Sequence, residues 1–236
     1  MTDLHTHILP GVDDGAKTVE DSLTMLRTQY EQGVDTVVLT PHFYPNREDA
    51  DAFLGRRQAA WEQLSQAIGA LPQQEQAQLP KLILGAEVAY MPGLQAMENL
   101  QALCIGSTKN MLLELPFYLW DSVFIHQLYD FLGKVGVTPV LAHIERYFLC
   151  QKKKMLEEVL ELGLPVQVGT DTVSQAFSPG LKLLKQGRGH FLASDCHDLN
   201  ARVPNLGKAM RVAEKKLGME RCGELLEMAE QLAAGE

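Results

Sequence analysis

Two short stretches near opposite ends of the chain pair metal-ligand residue types at i and i+2: His5-Thr6-His7 and Asp195-Cys196-His197. Single residues of the same kinds punctuate the chain between them, at His42, Glu87, Glu114 and His143. Imidazoles and carboxylates offer nitrogen and oxygen without sulfur. Such donors suit a hydrolytic divalent-metal centre better than a structural zinc–thiolate site. Alone, an HxH pair is weak. Its value here depends on whether the fold brings the scattered residues together.

The elements that would do so are legible. Short apolar runs at Thr2–His5, Thr36–Thr40, Leu82–Ala86, Met111–Leu115, Thr138–Ala142, Val166–Gly169 and Phe191–Ser194 read as strands. Amphipathic stretches near 19–32, 49–68, 122–135, 151–162, 180–187, 203–217 and 220–233 read as helices. In the fourth-strand helix, Asp121 or Ser122 can cap, and Phe124, Ile125, Leu128, Phe131 and Leu132 repeat at helical spacing. The Gln-rich stretch 73–78 is expected to be a surface loop.

Strands alternating with helices imply parallel crossovers, in either a closed barrel or an open sheet. No GxGxxG follows the first strand, which weakens a dinucleotide-binding sheet. Every candidate ligand falls at or just past the carboxyl end of a strand, where active sites gather in parallel α/β folds. Within a strand, i and i+2 also face one way. Two histidines fall outside this pattern. His126 lies on a polar helix face, and His190 begins the last strand, roughly 16 Å from the ligand end.

With 236 residues the chain can bury one large core, and a single domain over 1–236 is expected. A net charge of −9 argues against nucleic acid as a partner. Charged and histidine residues from position 3 leave no room for a secretory n-region and h-region. No apolar run approaches a membrane span, so no membrane insertion is expected. Four scattered cysteines suit reduced thiols, and the expected location is cytoplasmic.

The segment Asp3–Gly15 (DLHTHILPGVDDG) resembles the opening of the bacterial PHP-domain, manganese-dependent protein tyrosine phosphatases of capsule and exopolysaccharide operons. The likeness continues through Thr40-Pro41-His42, Gly85-Ala86-Glu87, Leu113–Pro116, Ala142–Tyr147 (AHIERY) and Ser194–His197. It implies a distorted (β/α)7 barrel of PHP type. It also implies a phosphatase that hydrolyses phosphotyrosine with a metal-activated hydroxide and regulates a bacterial tyrosine kinase. By the resemblance, His5, His7, Glu87 and Asp195 hold one ion. Glu87 bridges to a second on Glu114 and His143, while Asp14, His42 and His197 hold a third. Mn²⁺ is the expected cofactor, as two or three ions, with Fe or Zn²⁺ compatible with the same donors. Arg146 and Arg202 match the phosphate-binding arginines. Two positions depart from the usual pattern: Phe43 replaces a second histidine, and Cys196 replaces an alanine.

Four carboxylates, three divalent ions and one hydroxide leave about +1 of local charge, so an acidic protein can still trap a phosphate. Forked guanidiniums would add two-point contacts to its oxygens. Asp198, Glu145 and His42 are all candidates for a general acid. A competing thiol mechanism is suggested by Cys196-x5-Arg202, but that segment contains no glycine and one acid, Asp198. Rival readings of the same metals are a phosphatase for a small phosphomonoester such as histidinol phosphate, an exonuclease, and a regulator that binds without turnover.

Overall fold

In the computed structural model, which describes residues 1–175 and 178–235, strands and helices alternate along the chain. The strands are β1 (Thr2–Thr6), β2 (Thr36–Leu39), β3 (His42–Phe43), β4 (Lys81–Leu84), β5 (Glu87–Ala89), β6 (Asn110–Glu114), β7 (Thr138–Leu141), β8 (Gln167–Gly169) and β9 (Phe191–Ala193). The helices are α1 (Val19–Glu31), α2 (Ala50–Ala70), α3 (Gln73–Gln76), α4 (Ser122–Lys134), α5 (Lys153–Leu160), α6 (Asp171–Ser174), α7 (Pro179–Lys185), α8 (Leu206–Leu217) and α9 (Met219–Ala234). All ladder pairings are parallel.

The expected second strand ends at Leu39 and the expected third at Leu84, and each is followed by a short further strand. Chain path 36–43 splits into β2 and β3 around Thr40-Pro41, and 81–89 into β4 and β5 around Gly85-Ala86. The sheets therefore read β1-β2-β4, β3-β5-β6-β7 and β8-β9. Single bridges join them, Leu141 to Val166 and Thr6 to Cys196. The α/β class holds, but the barrel is not closed by continuous ladders.

Side-chain alternation divides the core. Val37 and Leu39 join a larger cluster with Leu23 and Leu26 of α1, whereas Val38 faces the other way. Met111 and Leu113 likewise oppose Leu112. The smaller cluster gathers Leu4, Val38, Leu112, Val140 and Phe191, with Ala229 and Leu232 from α9. Polar side chains set the helix starts. Thr18 and Asp21 form a reciprocal capping box on α1, and Asp121, rather than Ser122, caps α4 by accepting from Phe124 N at 2.9 Å.

Three sequence expectations need correction. Gln73–Gln76 forms a helical turn, not a loop; Pro72 fixes the backbone just before it and its carbonyl accepts from Glu75 and Gln76. The helix expected from 203 starts at Leu206, because Pro204 and the non-helical Asn205 precede it. Asp195 and His197 lie beyond β9, with Asp195 at φ 51°, so strand pleating does not orient them.

Candidate metal centre

His5 projects from β1, and its Nδ1 donates to Gln167 Oε1 at 2.8 Å. His7 follows the strand, and its Nδ1 donates to Asp13 Oδ2 at 2.7 Å. With both Nδ1 protons directed outward, the Nε2 lone pairs face each other 3.0 Å apart. They also lie 3.2–3.4 Å from Glu87 Oε2 and 3.3–3.4 Å from Asp195 Oδ1. Four acceptor atoms this close call for a proton or a cation between them.

The loop after His7 is folded back by its glycines. Gly11 sits at φ +68°, and a Cβ on Gly15 would meet His7 O at 2.0 Å. That close return lets Ala16 N donate to His7 O at 2.9 Å. Asp13 is thereby fixed: its carboxylate also accepts from Gly15 N at 2.9 Å and His42 N at 2.9 Å. Burial alone would raise the Asp13 carboxyl, but its bond to His7 and these amides hold it below the usual range.

Glu87 opens β5 and is almost fully buried. His143 Nε2 donates to its Oε1 at 2.8 Å, while its Oε2 lies 2.8 Å from His42 Nδ1 without a hydrogen-bonding geometry. Burial opposes the charge of Glu87, yet His5, His143 and His42 hold the carboxyl well below its ordinary range. Glu114 ends β6 with Oε1 3.5 Å from His143 Nε2. Burial, then the charge of Glu87, push its carboxyl up to about 7. Asp14 Oδ1 lies 3.5 Å from His42 Nε2 and 3.3 Å from His197 Nε2. Burial, then the proximity of His7, bring the His197 ring down to about 4.

All nine expected ligands thus enter one connected cluster. Among the described residues, three donor groups have ligand atoms mutually within 4.8 Å: His5, His7 and Glu87; His42, Glu87 and Glu114; and His7, Asp14, His42 and His197. His42 and His7 are shared more widely than the resemblance implied. Buried Glu87 Oε2, Asp195 Oδ1, His42 Nδ1 and His197 Nε2 have no hydrogen-bond partner among the described residues. Unpartnered nitrogen and oxygen lone pairs at one buried point fit divalent cations.

Arg146 and Arg202 reach this cluster from different segments. His143, at φ 28°, ends its strand path and turns the chain into the 3₁₀ segment Ile144–Leu149, which carries Arg146 inward. Both guanidiniums bond Asp195 Oδ2, Arg202 Nη2 at 2.7 Å. Burial would raise the Asp195 carboxyl, but His5, His7 and Arg146 hold it below the carboxylate range.

Other residues fall where the sequence placed them or acquire plainer duties. His126 is exposed on α4, and His190 Nδ1 accepts from Val166 N at 2.9 Å, away from the cluster. Phe43 is buried against Phe53 and does not wall the site. Asp198 accepts the amides of Asn200 and Ala201, each at 2.6 Å, and serves a turn. Cys196 is fully buried, and burial pushes its thiol well above the ordinary value, so a thiolate nucleophile has no support. Sequence reasoning missed Asp13 and Gln167. A glutamine inside the apolar run Val166-Gln167-Val168, and a second acid in the turn beside Asp14, were the available signals.

The family model for capsular polysaccharide synthesis, CpsB/CapC, matches residues 1–232. The chain is 33% identical to tyrosine-protein phosphatase YwqE of Bacillus subtilis, over 98% of this chain and 91% of the relative. It is 30% identical to tyrosine-protein phosphatase CpsB of Streptococcus pneumoniae, over 95% and 94%. It superposes with TM-score 0.82 and 29% identity on a crystal structure from work on those two proteins, described as unique metal-dependent tyrosine phosphatases. That likeness covers 100% of this chain and 95% of the other.

Proposed function

Because the chain belongs to the CpsB/CapC capsular polysaccharide synthesis family, we propose that it is a metal-dependent protein tyrosine phosphatase. One observation carries the reading beyond membership. Two guanidiniums from separate segments converge on Asp195, the same carboxylate whose other oxygen faces His5 and His7. Cationic forks beside a cation-binding cluster form a site for a phosphate dianion.

We assign His5, His7, Asp14, His42, Glu87, Glu114, His143, Asp195 and His197 as ligands, with Mn²⁺ as the native ion. Bound there, divalent ions supply Lewis-acid charge and lower the pKa of a water. The protein's part is to hold those donors in place. Gln167 and Asp13 keep the Nδ1 protons of His5 and His7 outward, which leaves Nε2 free to ligate. Arg146 and Arg202 each bond Asp195 through one Nη2 and retain further N–H groups for equatorial phosphoryl oxygens. A phenolate is a good leaving group, so hydrolysis of an aryl ester demands less of a general acid than hydrolysis of an alkyl ester.

The partner is a tyrosine-phosphorylated protein, and we infer a bacterial tyrosine kinase of capsule synthesis. The whole chain acts as one catalytic unit in the cytoplasm; no helix among the described residues is long and apolar enough to cross a membrane. The test compares kcat/KM for phosphotyrosine and phosphoserine peptides and for histidinol phosphate, with Mn²⁺ present. Preference for phosphotyrosine supports the reading, and preference for histidinol phosphate overturns it.

A further inference from the structure

Phe117 lies three residues past Glu114 at the end of β6 and is 50% exposed, although its ring is held in place. It stacks on Tyr147 with centroids 4.9 Å apart and planes 19° apart, and lies 6.4 Å from the His143 ring at 20°. Tyr147 is fully buried and donates from its hydroxyl to Leu115 O at 2.5 Å, which fixes the surface on which Phe117 rests. One face of Phe117 is therefore covered by the wall of the metal cluster. Half-exposed aromatic rings fixed in this way present a flat apolar face at low cost in side-chain entropy.

A second ring borders the same carboxylate. Tyr44 stacks on His42 with centroids 5.2 Å apart and planes 26° apart, and Arg47 covers part of it at 4.3 Å. His42 and His143 meet the two oxygens of Glu87 at 2.8 Å each, so the aromatic residues flank Glu87 on either side. Metal ligation and phosphate recognition use neither ring.

We propose that Phe117 is a specificity residue that receives the aryl ring of the substrate, with Tyr44 bounding the opposite side. The proposal deepens the phosphatase reading and rests on it for the identity of the ring. An aryl phosphate held by Arg146 and Arg202 places its ring beside the metal cluster, where an alkyl phosphate leaves the Phe117 face uncovered. Stacking of this kind is present in ground and transition states alike. It lowers KM for aryl esters and leaves kcat little altered.

The test uses the Mn²⁺-loaded enzyme, with Phe117→Ala and Phe117→Tyr variants. Calorimetry gives the ratio of affinities for phenylphosphonate and methylphosphonate, which bind without turnover, and kinetics give KM and kcat for phosphotyrosine. Phe117→Ala should lower the phenyl preference by about threefold to tenfold, the worth of one aromatic contact. It should raise KM for phosphotyrosine by a similar factor, and Phe117→Tyr should restore both. An unchanged phenyl preference in Phe117→Ala overturns the proposal, as does wild-type enzyme that binds the two phosphonates equally. Loss of phenyl preference in a protein that does not hydrolyse phosphotyrosine upholds the ring site and overturns the phosphatase reading alone.

Discussion

Asp13 accepts the Nδ1 proton of His7 at 2.7 Å while it accepts the main-chain N–H of His42 at 2.9 Å, so one carboxylate orients two ligand-bearing segments. It touches no proposed phosphate position and acts through His7. Asp13→Asn, whose amide can present its nitrogen to the ring, should weaken divalent-metal affinity by about 10- to 100-fold, the usual effect of removing such a partner. Equilibrium titration with Mn²⁺ under weak chelation reads this directly. Wild-type affinity in the variant would remove Asp13 from the positioning role.

Glu114 makes the metal-free protein sensitive to pH. Its folded carboxyl is raised from 4.5 to about 7 by burial and by Glu87. A raised acid contributes stability that is fully present below its unfolded pKa and is lost as pH rises through the folded value. Between about pH 4.5 and pH 7 this residue should therefore lower the melting temperature of chelated protein. Glu114→Gln cannot ionise and should flatten that part of the slope. Scanning calorimetry of both proteins across this range decides the matter; equal slopes would contradict it.

Arg146 and Arg202 should separate phosphate recognition from metal binding. Each Ala variant should keep its metal content yet lose about 10²–10³ in kcat/KM, the range for removal of one preorganised donor. Inhibition by inorganic phosphate should weaken in parallel. Lysine should restore activity only in part, since an ammonium cannot fork onto two oxygens. Wild-type kinetics in either Ala variant would exclude that arginine.

Cys196 lies between two proposed ligands and six residues before Arg202, the spacing of a thiol phosphatase. Its complete burial leads to a different outcome. Cys196→Ser should keep most turnover and metal while it loses about 1–3 kcal/mol of stability, because a more strongly hydrated hydroxyl replaces a fully buried thiol. A dead variant with its metals bound and fold intact would point back to the thiol.

Much of this site was legible because the relevant residues lie at strand ends. His5 inside β1, Glu114 at the close of β6 and His42 after Pro41 follow from apolar runs that stop at a polar residue. Strand periodicity failed at Asp195, since a positive φ beyond β9 turns its side chain to the site and nothing in the alternation foretells that. The breaks at Thr40-Pro41 and Gly85-Ala86 were hidden for a related reason: the strands that follow open on His42 and Glu87 and are too short to show an alternation. Gln167 and Asp13 escaped notice because their role comes from contacts across 162 and 6 residues, respectively. The meeting of Arg146 and Arg202 on one oxygen of Asp195 is likewise a tertiary fact. Their sequence positions alone fitted surface ion pairs as well.

If hydrolysis depends on ions held by this cluster, Glu87 is the residue to remove, since the rings of His5, His7, His42 and His143 all lie within 3.4 Å of its carboxylate. The measurement is metal content and phosphotyrosine hydrolysis on the same samples of wild-type protein and Glu87→Ala, before chelation, after it, and after Mn²⁺ is returned. Wild-type activity should disappear with the metal and return with Mn²⁺, and Glu87→Ala should neither retain metal nor recover activity. Undiminished hydrolysis by chelated, metal-free protein, or by Glu87→Ala, would contradict that dependence.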